Sequence, residues 1–350
     1  MLKLSCKIFT LLFFCFSCIS CTPKVISEQG KTTIKVNNFN FYGESQKVSI
    51  VKTPRRAIVY GSSALDTLIA LNVGDKVTAA LVTDGLPLEH YRQKLPNAQI
   101  YTQALSLEKV IELQPDFLLA WRRFFSDKQL GDSAIWLQRG IPAYIQDASG
   151  PIPAKGNFPA CTVVSELNFI RNMGIIFEKQ QASEKIIADI QAKLKPNSKL
   201  PPKNNKVLVV EFINGTIEVF GQDLLSGDII KYFGGNIIEY GAPFVSQEEL
   251  TTINVDHIFV VYHGGAQEAA AALRHIDNPL YKHLRAVQEG NIYPLNYRLI
   301  VAPGVNLLQS VDYIYNCLFN KRLASKNNRD LLIMQTPVVL FQDKFLEQFF

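Results

Sequence analysis

Apolar positions along this chain alternate between short solid runs and stripes at helical spacing, with polar breaks between them. Thr22 to about Lys35 is polar and aperiodic, which predicts a tether. Phe39 to Val51 alternates loosely and predicts a short strand pair. A βα rhythm then starts. Ala57–Tyr60 is a solid strand run, and Leu65, Leu68, Ile69 and Leu71 follow on one helix face, with Ser62 or Ser63 available as its cap. Val77–Val82 predicts a strand, Leu107, Val110 and Ile111 a short helix stopped by Pro115, and Phe117–Trp121 a strand. Ser126–Arg139 predicts a helix closed by Gly140, and Ala143–Ile145 a strand.

The rhythm breaks at a loop carrying Pro151, Pro153, Gly156 and Pro159. From Cys161 to Leu194 the chain lacks proline and has one interior glycine, Gly174. Val164, Leu167, Ile170 and Phe177 fall on helical spacing, predicting one helix of about 30 residues, roughly 45–50 Å long. Pro196, Pro201 and Pro202 end it, and the βα rhythm restarts. Strands are expected at Lys206–Phe212, His257–Tyr262 and Asn291–Pro294. Helices are expected at Asp223–Phe233, from Ser246 with Glu249 completing a capping box, and at Val305–Leu318.

The expected fold is α/β: two similar lobes with mainly parallel sheets flanked by helices, joined by one long helix, with a ligand cleft between them. An internal echo supports the duplication. Ser106-Leu-Glu108 leads to Asp116 and a strand ending at Trp121, while Ser246-Gln-Glu248 leads to Asp256 and a strand ending at Tyr262. A single rigid helix would limit lobe motion and leave the cleft largely preformed. Ligands of such sheets bind beyond the carboxyl ends of strands, which points to the residues after Tyr60, Trp121 and Tyr262.

The 350 residues suit two domains, and 47% apolar content is enough for cores. The net charge of +5 is dispersed, with no basic run, so nucleic acid is excluded as a first choice of partner. Lys3 and Lys7 precede an uncharged, mostly apolar run over Ile8–Ser20, too short to span a bilayer comfortably and suited to a signal peptide. It ends in Cys18-Ile19-Ser20-Cys21-Thr22, which resembles a bacterial lipobox with Cys21 as the lipidated residue, although Cys18 stands where leucine is usual. The alternative is an ordinary secretory signal with incidental cysteines. Of six cysteines, four lie in this leader; Cys161 and Cys317 can pair or stand as separate core thiols. The expected divisions are 1–21 signal peptide, 22–38 tether, 39–160 first lobe, 161–195 interlobe helix, 196–320 second lobe, and 321–350 a tail of unassigned role.

Taken together, Pro54–Asp75, Ser106–Ala120, Val245-Ser-Gln-Glu-Glu-Leu250 and Ala286–Tyr293 resemble, in order, the landmarks of the solute-binding proteins of ABC importers for iron-siderophores, haem and cobalamin. The resemblance runs from about Phe39 to Phe319. It implies a lipid-anchored, monomeric binding protein, exported to face the periplasm or cell exterior, that captures a metal chelate, does no chemistry and needs no metal or cofactor of its own. Glu108 and Glu248 match the carboxylates, one per lobe, that dock on arginines of the permease; each is also an acid favoured at a helix start. Trp121 matches an aromatic laid against the ligand, and Arg122 and Arg123 follow it as donors for an anionic chelate. Tyr262 and His263 occupy the matching place in the second lobe. Tyr60, Ser63 and Arg298 are further candidate contacts, and Phe158 and Phe220 weaker ones.

The cationic pair favours a ferric siderophore with carboxylate or hydroxamate groups; cobalamin and haem remain alternatives. A free-metal binder would gather histidines and carboxylates at the cleft, whereas this chain has five scattered histidines. An enzyme is disfavoured by the absence of Gly-x-Ser-x-Gly, Walker and His-Glu-x-x-His patterns.

Overall fold

The structure, a computed structural model, describes residues 26–28, 31–83, 88–127, 129–146, 161–194, 205–239 and 244–319. Cys21, Phe158 and the tail 321–350 lie outside these. Strands β1 (Ile26–Glu28), β2 (Lys31–Phe39) and β3 (Ser45–Ile50) form an antiparallel sheet. The stretch expected as a tether up to residue 38 is therefore largely strand. The expectation failed because only Val36 gives β2 a fully buried apolar side chain; its other buried inward position is Asn38. The Asn38 amide exchanges two hydrogen bonds with the Ile145 backbone, standing in for a strand partner at the sheet edge.

The first lobe runs β4 (Ala57–Tyr60), α1 (Ser62–Ala70), β5 (Val77–Leu81), α2 (Leu88–Lys94), β6 (Gln99–Tyr101), α3 (Leu107–Glu112), β7 (Phe117–Trp121), α4 (Ser133–Gln138) and β8 (Ala143–Gln146). Its sheet has the order β6-β5-β4-β7-β8, with every pair parallel. Covered on both faces, β4 and β7 bury every residue, which is why they read as solid apolar runs. The helix expected over Ser126–Arg139 is confined to α4. Gly131, at φ 70°, breaks the backbone, and Asp132 then caps the helix by accepting from the Ala134 N–H.

The long interlobe helix is instead a hairpin of α5 (Val163–Ile176) and α6 (Gln180–Leu194). Glu178 turns left-handed at φ 57°, and the Lys179 N–H bonds back to the Gly174 carbonyl. A Cβ on Gly174 would strike Ser183, so the lone glycine is where the two helices meet. Arg171 and Glu184 pair across the hairpin at 2.7 Å.

The second lobe contains β9 (Lys206–Ile213), β10 (Thr216–Val219), α7 (Leu225–Tyr232), β11 (Asn236–Ile237), β12 (Phe244–Val245), α8 (Gln247–Thr251), β13 (His257–Tyr262), α9 (Ala266–Ile276), α10 (Arg285–Gln288), β14 (Ile292–Asn296) and α11 (Leu307–Phe319). Its sheet order is β12-β10-β9-β13-β14, with β11 also on β9; β9, β13, β14 and β11 run parallel, and β10 and β12 are antiparallel additions. The internal echo has a structural basis. Asp116 accepts from the Arg55 and Arg56 N–H groups, and Asp256 accepts from the Lys206 N–H. Each aspartate thus pins the entry to the first parallel strand of its own lobe.

One apolar cluster runs through both lobes, from Val59 and Leu119 through Ile170 and Ile190 to Val209, Phe259 and Ile314. A buried polar seam crosses the same boundary. Asp66 on α1, 3% exposed, accepts from Arg298 at 2.7 Å, Asn306 at 2.8 Å and the Tyr91 hydroxyl at 3.1 Å. Thr67 accepts from the Val305 N–H, and Glu166 from the Gly304 N–H. Gly304 holds φ 56°, and any Cβ there would run into the Thr67 hydroxyl, so the crossing segment requires glycine. Shared core and seam, rather than one stiff helix, thus tie the lobes. Cys161 and Cys317 are separate buried thiols. Removing the Asp66 carboxylate takes away the buried acceptor shared by Arg298, Asn306 and Tyr91. Asp66→Ala is expected to lower unfolding free energy by about 3–5 kcal/mol in urea titrations, whereas an unchanged transition would refute the seam's role.

Candidate functional site

The carboxyl ends of β4 and β7 form one wall of the interlobe region. Trp121 closes β7, and its indole N–H donates to the Gln146 side-chain Oε1 at 3.1 Å, which fixes the ring. Gln146 in turn donates to the Ala302 carbonyl of the crossing segment at 2.8 Å. Gly61, at φ 120°, passes directly over the indole, where a Cβ would come within 3.0 Å of Nε1. A 3-10 turn over Arg122–Phe125 then carries the two arginines. The Arg123 guanidinium lies 4.8 Å from the Trp121 ring centre and 4.9 Å from that of Phe124, a cation–π stack. Arg122 is buried, and burial disfavours its charge. Tyr60 meets Phe124 edge-on at 5.2 Å, and its oxygen accepts from the Leu105 N–H. Burial pushes the Tyr60 phenol up to about 12.

The opposing wall belongs to the second lobe. His263, exposed just past β13, stacks on Tyr297 at 4.4 Å and sits 3.0 Å from the Glu211 carboxylate. Glu218 is the direct cross-strand partner of Glu211. Burial, then the Glu211 charge, raises the Glu218 carboxyl above its ordinary range, and His263 opposes the rise. Burial likewise raises the Tyr297 phenol, and the Arg123 charge opposes the rise.

The expected residues thus divide. Trp121, Arg123 and Tyr60 gather on one wall, with Arg122 buried at its base, and His263 stands on the other. Arg298 is drawn aside, its guanidinium donating to Asp66 in the seam. Ser63 is 1% exposed beneath the crossing segment, Tyr262 is buried, and Phe220 belongs to the core. Glu211, Glu218, Tyr297 and Gln146 were not anticipated. A signal for Glu211 existed, since it is the one charge interrupting the apolar run of β9 near its carboxyl end.

Glu108 and Glu248 occupy equivalent first-turn positions, each two residues after a capping serine. Ser106 accepts from the Lys109 N–H, and Ser246 and Glu249 complete the capping box. The Glu108 carboxyl is lowered by its own backbone N–H and then by Ser106. Among the described residues no group of three or more His, Cys, Asp or Glu side chains is placed to hold a metal ion, and no helix is long and apolar enough to cross a membrane.

The two-lobed α/β scaffold is the architecture of periplasmic binding proteins. The periplasmic binding protein family model matches residues 58–299, over half the chain, and the chain belongs to that family of substrate-binding, non-enzymatic proteins. It is 26% identical over 261 residues to the petrobactin-binding protein YclQ of Bacillus subtilis, covering 71% of this chain and 76% of that one. It is 23% identical over 287 residues to the ferric-anguibactin-binding protein FatB of Vibrio anguillarum, covering 78% and 84%. A periplasmic binding protein from Veillonella parvula superimposes with a TM-score of 0.68 at 23% identity, covering 82% of this chain and 92% of that one.

Because ionised Glu218 is disfavoured in the folded state, its penalty is full at neutral pH and vanishes once both folded and unfolded forms protonate. Glu218→Gln is therefore expected to raise Tm at pH 7, with the gain disappearing below about pH 4 in thermal scans. A gain that persists at low pH would contradict this reading.

Proposed function

We propose that this protein is the lipid-anchored binding component of an ABC importer, capturing a ferric siderophore between its lobes and delivering it to the membrane permease. The observation that carries the reading is the Arg123–Trp121 stack at the carboxyl end of β7. An anionic chelate offers oxygens to a guanidinium and a flat or apolar ligand face to the indole. A siderophore wraps its metal in its own oxygens, so the wall needs hydrogen-bond donors more than metal ligands. Arg122, held at the base of the same turn, adds positive charge to that wall. Relatives named for petrobactin and ferric-anguibactin support this cargo class. Attachment through a lipid on Cys21 would hold the protein at the membrane without a spanning helix. Glu108 and Glu248, one per lobe, would orient it on the permease by ion pairs that act mainly on encounter and register.

The test is a fluorescence titration of the protein from Thr22 onward with ferric siderophores, haem and cobalamin. Only Trp121 and Trp136 contribute, and Trp136 is wholly buried. Saturable quenching by a ferric siderophore is expected, with affinity falling about tenfold or more in Arg123→Ala. Response to haem or cobalamin alone would change the cargo, and response to none would overturn the reading.

A further inference from the structure

Gln146 ends β8, where a polar side chain closes an otherwise apolar strand, and it is shut away from solvent. Strands β7 and β8 run parallel with Trp121 opposite Gln146, so the two side chains leave the sheet on the same face at its carboxyl end. Both ends of the Gln146 amide are engaged. Its Oε1 accepts from the Trp121 indole N–H at 3.1 Å, and its Nε2 donates to the Ala302 carbonyl at 2.8 Å. An indole N–H can only donate and a backbone carbonyl can only accept, so these partners permit the amide one orientation.

Ala302 is the unusual end of this chain of bonds. It holds φ 47°, a left-handed backbone that a residue with a Cβ rarely adopts. It is fully buried in an apolar cluster with Trp121, Phe124 and Ile145, and every other described member of that cluster comes from residues 39–145. The second lobe thus places one residue in the core of the first, and the bond from Gln146 holds its backbone there. Tyr297, stacked on His263 in the opposing wall, is tied to the same segment, because its carbonyl accepts from the Val301 N–H. Gly61 closes over the indole nitrogen, where even a Cβ would come to 3.0 Å.

We propose that Gln146 is the positioning residue of the cleft: the hydrogen-bonded chain Trp121–Gln146–Ala302 sets the pitch of the indole face and its spacing from the Tyr297 wall, so that cargo affinity depends on an amide that no ligand touches. The inference rests on the proposed cargo contact at Trp121 and adds what holds that contact in place. A freely turning indole would have to be ordered by each arriving ligand, which weakens binding. A ring ordered beforehand by a buried bond avoids that loss. Without the amide, the indole N–H would be a buried donor lacking its acceptor.

The test compares variants of the protein by acrylamide quenching and by calorimetric titration well below Tm. Gln146→Leu keeps an apolar side chain of similar size and removes both bonds. Quenching of the unliganded variant is expected to rise, and the rise reports Trp121, because Trp136 is fully buried and donates to the Leu130 carbonyl. Affinity for whichever chelate saturates the titration described above is expected to fall about tenfold. In a Trp121→Phe background the same change is expected to cost less than about twofold, since no indole remains to be held. Gln146→Glu supplies a rescue. Its buried carboxyl, when protonated, can accept from the indole and donate to the Ala302 carbonyl as the amide does; ionised, it has no proton to donate. Its affinity relative to wild type is therefore expected to recover as pH falls from about 8 to about 5. Wild-type affinity in Gln146→Leu, an equal loss in the Trp121→Phe background, or a pH-independent loss in Gln146→Glu would each overturn the proposal. If the unaltered protein binds none of the chelates, the cargo reading fails by itself; quenching then decides the ring-holding role, which unchanged quenching in Gln146→Leu would refute.

Discussion

A single buried carboxylate organises the molecule. Asp66 lies on the helix that follows the first central strand, shut away from water, and its strongest partners, Arg298 and Asn306, come from the other lobe. An isolated buried charge is too costly to persist, so wherever Asp66 sits the second lobe must follow. The pair is not chiefly a source of stability, since a well-packed apolar pair could do as well. Its directional bonds instead select one lobe arrangement among many that would bury similar area. The neighbouring bonds from Val305 and Gly304 to Thr67 and Glu166 repeat the choice.

The cleft inherits its geometry from that seam. Arg298 and Tyr297 are consecutive, so fixing one in the seam fixes the other beside His263. On the facing side, Gln146 links Trp121 to the crossing segment. The two walls therefore carry opposite electrical character on a common frame: Arg122 and Arg123 on one, Glu211 and Glu218 on the other. In the proposed role, an anionic chelate is drawn to the first wall and held off the second, which sets its orientation before any close contact forms.

Much of this was legible in the residues. Fully buried parallel strands announce themselves as solid apolar runs, so β4, β7, β9 and β13 could be placed, while apolar spacing and Pro115 marked α3 and the Ser246–Glu249 capping box marked α8. What stayed hidden follows from contacts between distant segments. Gly174 reads as a tolerated interruption until Ser183 is seen against it, and Glu178 carries no local sign of a left-handed turn. Strand β2 hides because Asn38 replaces an apolar residue at an inward position. At the cleft, residue type pointed to Trp121 and Arg123. It could not tell that Arg298 answers a charge 232 positions earlier instead.

That separation has a consequence in time. A chain emerging from its N-terminus completes the strands and helices of its first sheet long before residue 298 exists, yet until then α1 holds a charge with no counterpart. Closing loops of 232 and 240 residues is slow and entropically costly, and the reward arrives only at the end. A half-made chain is thereby discouraged from settling into a compact form. For a family of exported proteins, a late-arriving partner for Asp66 would hold off compaction until most of the chain is present.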